Sequence, residues 1–202
     1  LCNFFGQRLR QIADTGLLGD GAPADPGALL TPSDGYRARV SVISMVGLQS
    51  DQQREGFVNQ LQMALFSWIK RNPAGDRPLG GLFVMDEAQN FAPSGRTTAS
   101  LQSTLALSSQ ARKYGLGLVF ATQAPRGLNA NIPGNAATQL FGPLNAPVQI
   151  TVAKEMARDK GGYVPDIGRL RAGNFYAALE GTAFAKITAP EIRQTHRMRD
   201  LK

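Results

Sequence analysis

An apolar run that ends in two adjacent carboxylates restricts the possible folds of this chain more than any other segment. Residues 81–85 read Gly-Leu-Phe-Val-Met, and Asp86 and Glu87 follow directly. A continuous apolar run of this kind is typical of a strand in a buried parallel sheet. Two neighbouring carboxylates at its end would repel each other unless positive charge lay between them. The pattern favours a nucleotide site, in which Asp86 holds Mg²⁺ and Glu87 polarises the attacking water. The alternative is a strand that ends in a solvated acidic turn.

A second apolar run, residues 116–121, follows a helical pattern and a glycine. The helix is predicted between about residues 99 and 114, and Gly115 is a natural residue to end it. The order of strand, helix and strand predicts a βαβ crossover, which makes the two strands parallel neighbours. Because the carboxyl ends of parallel strands meet at one edge of a sheet, Gln123 should lie beside the two carboxylates. A neutral amide in that place suits contact with a γ-phosphate or orientation of the attacking water.

These segments resemble the HerA/FtsK superfamily of P-loop motor ATPases. The resemblance rests on FVMDEAQNFAPS at residues 83–94 and on ARKYGLGLVFATQAP at residues 111–125. Residues 39–48 resemble the strand that precedes the Walker B strand of that family, and residues 170–179 resemble its closing strand. The bacterial HerA-like branch, which is related to the conjugation and type IV secretion ATPases, is the most similar. The resemblance covers roughly residues 40–190.

The resemblance implies an α/β fold, in which a mainly parallel sheet is flanked by helices as in the C-terminal portion of a RecA-like P-loop NTPase core. It implies ATP and Mg²⁺ as ligands, Glu87 and Gln123 as catalytic residues, and Asp86 as the metal ligand. Thr122 and Arg126 would contact the nucleotide. It also implies a homo-oligomeric ring, a hexamer in the first instance, that acts on double-stranded DNA as a translocase or helicase.

Arg112 is our first candidate for an arginine finger that acts on the γ-phosphate of a neighbouring subunit, as the resemblance implies. Its other possible role is to offset the carbonyl dipole at the end of its helix. A guanidinium fits a phosphate better than the ammonium of Lys113. Arg126 is the competing candidate because it follows Gln123 closely. Gln89 is expected only to support the turn after the carboxylates.

The chain departs from the family at the phosphate-binding loop. A P-loop has a Lys and then a Ser or Thr after its glycines, and no Gly-Lys dipeptide occurs in this sequence. We therefore expect the chain to be the C-terminal part of a longer ATPase, inactive alone, with the Walker B and sensor residues but no Walker A loop. One alternative is a degenerate ATPase that acts as a non-catalytic interaction module. Another is a secretion ATPase that moves protein.

Composition excludes several other classes of protein. The single cysteine, Cys2, excludes an internal disulfide and fits a reducing cytoplasm. With His196 as the sole histidine, neither a zinc site nor a histidine-based triad can be built. No apolar run approaches the roughly 20 residues that span a bilayer. The formal net charge of +7 and the pI near 10.0 favour a polyanionic partner such as DNA.

The chain divides into three predicted parts. Residues 1–38 form a lead-in with a mobile loop rich in Gly and Pro, residues 39–190 form the ATPase portion, and residues 191–202 form a basic tail. The elements predicted in the second part are strands at 40–48, 81–85, 116–121 and 139–144, helices at 51–71, 99–114, 148–158 and 164–170, and a terminal hairpin of 173–179 with 182–188.

Overall fold

The computed structural model describes residues 24–190, and the elements within them confirm the predicted α/β class. The strands are β1 Gly81–Met85, β2 Leu116–Phe120, β3 Gln139–Phe141, β4 Asn174–Ala178 and β5 Ala185–Thr188. The helices are α1 Pro26–Leu30, α2 Asp51–Arg71, α3 Leu101–Gln110, α4 Asn131–Asn135 and α5 Pro147–Asp159.

The longest of these helices, α2, has the predicted bounds because its start is encoded locally. The Ser50 side chain accepts a hydrogen bond from the Gln53 backbone N–H, and the Gln53 side chain accepts one from the Ser50 N–H. This reciprocal capping box satisfies donors that the first turn of a helix leaves free. Apolar residues recur at helical spacing in this segment, at Phe57, Leu61, Leu65 and Trp68, which predicts that this side faces the core. Leu61 and Leu65 are buried, whereas Phe57 and Trp68 are only partly buried.

The predicted βαβ crossover is confirmed: β1 and β2 are parallel, and α3 lies between them in the chain. Their register runs from Gly81 opposite Leu116 to Met85 opposite Phe120. The α-helix ends earlier than predicted, and a 3₁₀ turn continues it to Gly115. Gly115 closes that turn with a φ of 76°, a conformation that glycine adopts without steric cost.

A buried polar contact and an apolar core join α2 to α3 and to the end of β1. Gln62 is fully buried, and its amide donates to Thr104 Oγ1 at 3.0 Å while its carbonyl accepts from Ser103 Oγ at 2.7 Å. Satisfied polar groups of this kind fix one arrangement of two helices, because any shift would leave a buried donor unpaired. The surrounding core consists of Val58, Met85, Ala88, Phe91, Ala92, Leu101, Leu128 and Ile132.

The second sheet is antiparallel, with β4 between β3 and β5. The predicted terminal hairpin is therefore confirmed, although its connection is residues 179–184 rather than the predicted Glu180-Gly181 pair alone. The core of this part of the molecule consists of residues from β3, α5, β4 and the segment between α5 and β4, namely Phe141, Ala153, Ala157, Val164, Ile167 and Tyr176.

Residues 40–48, which the sequence predicts as a strand, do not form one. Val40 and Val42 are each 88% exposed, and no ladder partner for the segment lies within the described part of the chain. An apolar run becomes a strand only where a neighbouring backbone pairs with its N–H and C=O groups.

Two further predictions are corrected. Residues 164–170 contain a single 3₁₀ turn, Ile167–Arg169, instead of a helix; Gly168, in the interior of the segment, disfavours a longer helix. Conversely, α1 lies inside the predicted loop of the lead-in. The Asp25 side chain accepts from the Ala28 N–H and Pro26 occupies its first turn, which are both local signals for a helix start.

Residues 1–23 and 191–202 lie outside the described residues, and with them Cys2, His196 and the predicted basic tail. Among the described residues, 24–44 and 45–190 belong to two separate compact units. Between residues 24 and 190, no helix combines the length and the apolar character that a membrane crossing requires.

Candidate functional site

The carboxyl ends of β1 and β2 are joined beyond the strands by two further backbone hydrogen bonds. Ala121 donates to the Met85 carbonyl at 2.9 Å, and Ala88 donates to the Ala121 carbonyl at 2.9 Å. The residues that follow the two strands are therefore held side by side at one edge of the sheet. Asp86 is exposed there, and Glu87 is partly buried.

Glu87 is the sole non-glycine residue with positive φ in the described range, at φ 48° and ψ 44°. Its N–H donates to Asp86 Oδ1 at 3.0 Å, and its carbonyl accepts from the Asn90 N–H at 2.9 Å. Left-handed backbone at a non-glycine residue costs about 1–3 kcal/mol and persists where the surroundings enforce it. The backbone at Glu87 therefore departs from the course of β1, and its carboxylate meets the residues that follow β2.

Both carboxylate oxygens of Glu87 accept hydrogen bonds from side-chain amides. Gln89 Nε2 donates to Oε2 at 2.6 Å, and Gln123 Nε2 donates to Oε1. Thr122 Oγ1 lies 2.5 Å from Gln89 Oε1 and donates to it. The structure thus brings Glu87, Thr122 and Gln123 together, and adds Gln89 as the residue that links them.

The role of Gln89 in this network was not apparent from the sequence, which indicated only support of the turn. The available signal was its position two residues after Glu87 in a tight turn, Ala88–Asn90. That spacing alone does not show which side chain across the sheet edge it meets, because Thr122 is 33 residues further along the chain.

Arg126 lies at the same edge, in the 3₁₀ turn that follows Gln123. Its guanidinium forms an ion pair with Glu155 of α5 at 2.8 Å, and both side chains are more than half exposed. Gln149, also on α5, donates from Nε2 to the Gln123 carbonyl at 2.6 Å. The loop after β2 is therefore anchored on α5.

Arg112 lies at the opposite edge of the parallel sheet, because it precedes β2 whereas Gln123 follows it. Its guanidinium is 3.6 Å from the Glu180 carboxylate in the β4–β5 connection, and the two side chains are 87% and 73% exposed. An ion pair this exposed contributes little to stability. Arg112 also lines a cavity of about 500 Å³ whose other lining residues include Lys160 and Glu180 but not Glu87.

The residues at the carboxyl edge fit a metal that is bound together with a nucleotide. No group of three or more His, Cys, Asp or Glu residues that could hold a metal occurs within residues 24–190. Mg²⁺ in nucleotide complexes needs only one or two carboxylates, since phosphate and water oxygens complete its octahedron. Asp86 is exposed, and its Oδ1 accepts from the Glu87 N–H. Its carboxylate is therefore accessible for that role.

Comparison with solved structures identifies the fold. The chain is similar to the genome packaging NTPase B204 from Sulfolobus turreted icosahedral virus 2 in complex with ATP-gammaS, with a TM-score of 0.53 and 16% identity over 76% of this chain and 68% of that chain. For the AMP complex of the same protein the TM-score is 0.52, with 16% identity over 77% of this chain and 69% of that chain. For its sulfate complex the TM-score is 0.54, with 14% identity over 85% of this chain and 80% of that chain. The chain therefore has the fold of a P-loop NTPase. No protein-family model and no curated protein matches it.

Proposed function

We propose that the chain is part of an ATP-hydrolysing motor of the HerA-like type, with double-stranded DNA as its substrate. The observation that supports this most directly is the contact of Glu87 with Gln123 beside the exposed Asp86, at the carboxyl edge of parallel strands. Open α/β sheets bind their ligands at that edge. The fold, which is also that of a viral genome packaging NTPase, is consistent with a motor.

In this proposal each side chain at the edge has a distinct task. Asp86 holds the Mg²⁺ of the nucleotide, and the bound ion offsets charge on the phosphate oxygens. Glu87 accepts the proton of the attacking water, for which each of its oxygens retains a lone pair besides the one used by an amide. Gln123 orients that water or contacts the γ-phosphate, while Thr122 and Arg126 contact the nucleotide.

A second candidate function is a non-catalytic interaction module. The observation that favours it is the lack of any Gly-Lys dipeptide in the chain, because the motor requires another segment to cradle the phosphates. Protein as the translocated substrate, as in secretion ATPases, is a variant of the motor proposal. The net charge of +7 favours DNA over protein, since backbone phosphates are neutralised by Lys and Arg.

The test is Glu87→Gln in the intact protein. Phosphate release at saturating ATP should fall by about 10²-fold or more, because the general base is lost. Binding of a fluorescent ATP analogue should persist, because the shape of the site is kept. Asp86→Asn should instead weaken the Mg²⁺-dependent part of that binding.

The matched control is Asp76→Asn, which removes an exposed carboxylate from the turn before β1 and should leave both measurements unchanged. Turnover of Glu87→Gln within a few-fold of the wild type would reject Glu87 as the base. An intact wild-type protein that neither binds nor hydrolyses ATP would favour the interaction module.

A further inference from the structure

The hydrogen bonds around Gln89 form a chain with one direction. The Ala124 backbone N–H donates to Thr122 Oγ1 at 3.0 Å, so the hydroxyl proton of Thr122 is free to point at Gln89 Oε1, 2.5 Å away. With its carbonyl turned to Thr122, the Gln89 amide presents its NH₂ group to Glu87 Oε2 at 2.6 Å. The donor and acceptor inventory of the three side chains therefore admits one orientation of the Gln89 amide.

The aliphatic part of the Gln89 side chain lies beside the same loop that its amide contacts. A Cβ on Gly127, in the 3₁₀ turn after β2, would lie 3.5 Å from Gln89 Cβ and 3.6 Å from its Cγ. The Gln89 side chain therefore runs beside Gly127 and is hydrogen-bonded to Thr122. The position of Gln89 therefore depends on the position of the loop after β2. The Glu87 oxygen that Gln89 contacts depends on that loop in turn.

Gln123 also contacts Glu87, but it differs from Gln89 in two respects. It is exposed, and its side chain makes no contact with Thr122 among the hydrogen bonds of the described residues. In the proposed function the Gln123 amide contacts the γ-phosphate or the attacking water. It is therefore not available to hold the Glu87 carboxylate during turnover. Gln89 is partly buried and has a dedicated acceptor and donor on either side.

We propose that Gln89 is a positioning residue, which ties the Glu87 carboxylate to the loop after β2 through Thr122 and thereby sets the orientation of the catalytic base. This inference rests on the proposed function of Glu87. The contact between Gln89 and Glu87 matters because the backbone of Glu87 is in the left-handed conformation. A strained conformation holds only while its surroundings enforce it, and Gln89 supplies one of those contacts.

The first experiment measures kinetics in the intact protein with Gln89→Leu, which keeps the volume of the side chain and removes the amide. We expect kcat to fall by up to about 100-fold, the scale of a misplaced catalytic group, with the KM for ATP unchanged. Gln89→Leu combined with Thr122→Val should lower kcat no further than Gln89→Leu alone, because both remove the same link, whereas the KM for ATP should rise in the double variant because Thr122 also contacts the nucleotide in the proposed function. Gln60→Leu, at an exposed site on α2, is the matched control and should behave as the wild type.

An unchanged kcat in Gln89→Leu, or losses that add fully in the double variant, would overturn the proposal. A higher KM with unchanged kcat would also overturn it, because that result describes a residue that contributes to nucleotide binding alone.

The second experiment does not depend on hydrolysis. In the 202-residue chain, the ¹³C resonance of the Glu87 carboxylate should shift in Gln89→Leu and in Thr122→Val, and should not shift in Gln60→Leu. In Thr122→Val the Gln89 side-chain NH₂ signals should move as well. A Glu87 resonance that is insensitive to both changes rejects the link, whatever the activity of the intact protein. Shifts as expected in a protein without ATPase activity would support the link and reject the proposed function.

Discussion

At the scale of single residues, Gly115 and Glu87 both have positive φ beside the parallel strands, for different reasons. Gly115, at φ 76°, ends the turn that leads into β2, and it has no side chain to oppose that conformation. Glu87, at φ 48°, adopts the same region against its own steric preference. Only at Glu87 do neighbouring side chains, those of Gln89 and Gln123, hold the residue in place, which is consistent with a functional origin of the strain.

The packing at Gly115 leads to a prediction about stability. A Cβ on Gly115 would lie 2.2 Å from the Ala74 Cβ, whereas a Cβ on Gly75, which also has positive φ, would meet nothing within 4 Å. Gly75→Ala should therefore cost only the backbone strain, roughly 1–2 kcal/mol. Gly115→Ala should cost more than about 3 kcal/mol, because a backbone shift is added. Urea unfolding of the two variants measures this, and equal losses would contradict the close packing.

At the scale of elements, a polar cluster joins β4 and β5 to the 3₁₀ turn at Ile167–Arg169. Lys186 Nζ lies 2.5 Å from Asp166 Oδ2, and the Tyr176 hydroxyl donates to Asp166 Oδ1. The hydrogen bond from Lys186, and then the one from Tyr176, lower the pKa of Asp166. The hydrogen bond to Asp166 raises the pKa of Lys186, and burial followed by the same carboxylate raises the pKa of Tyr176.

These shifts predict how stability depends on pH. The pKa of Asp166 is below its ordinary value of 3.8, so its contribution is present above that pH and is lost as the pH falls through the folded value. The contributions of Lys186 and Tyr176 are present below their ordinary values of 10.5 and 10.0 and are lost as the pH rises through their folded values.

Asp166→Asn should accordingly be less stable than the wild type at neutral pH, and the difference should shrink in acid. Urea unfolding from about pH 3 to about pH 9 tests this, because the slope of stability against pH reports the protons bound on unfolding. Asp76→Asn, at an exposed carboxylate, is the control. A difference between Asp166→Asn and wild type that stays constant down to the lowest pH would contradict the assignment.

At the scale of the whole molecule, Glu87 and Arg112 lie at opposite edges of the parallel sheet. The five residues of β2 separate the two edges by about 16 Å, more than an arginine side chain can span. Arg112 therefore cannot act on a nucleotide at the Glu87 of its own chain. Its proposed role as an arginine finger requires a second copy of the chain, in which case its exposed guanidinium would leave Glu180.

The finger proposal predicts complementation between inactive subunits of the intact ATPase. Arg112→Ala should bind ATP but hydrolyse it about 10³-fold or more slowly, because charge on the transferred phosphoryl group loses its stabilisation. Mixed with Glu87→Gln subunits, which retain the arginine, it should regain part of the activity. The exposed neighbour Lys113 provides the control, and Lys113→Ala should hydrolyse ATP normally. If mixed assemblies form by mass measurement yet stay inactive, Arg126 is the next residue to test.

The sequence by itself determined the elements whose signals are local. The capping box at Ser50 set the start of α2, and the apolar runs with Gly115 between them set the parallel β1–β2 pair. Hydrogen bonds between residues a few positions apart, and the periodicity of apolar residues, depend only on nearby positions in the sequence. They can therefore be predicted without knowledge of the fold. The order of strand, helix and strand also placed Asp86, Glu87 and Gln123 at one edge, because the carboxyl ends of parallel strands meet there.

Only the tertiary structure decided which distant residues meet. It showed that residues 40–48 lack a strand partner within the described chain, that Gln89 meets Thr122, and that Arg112 meets Glu180 rather than the site. Such contacts depend on side chains from separate elements, whose relative placement results from the packing of the whole core. A sequence pattern does not show how these separate elements are placed relative to one another.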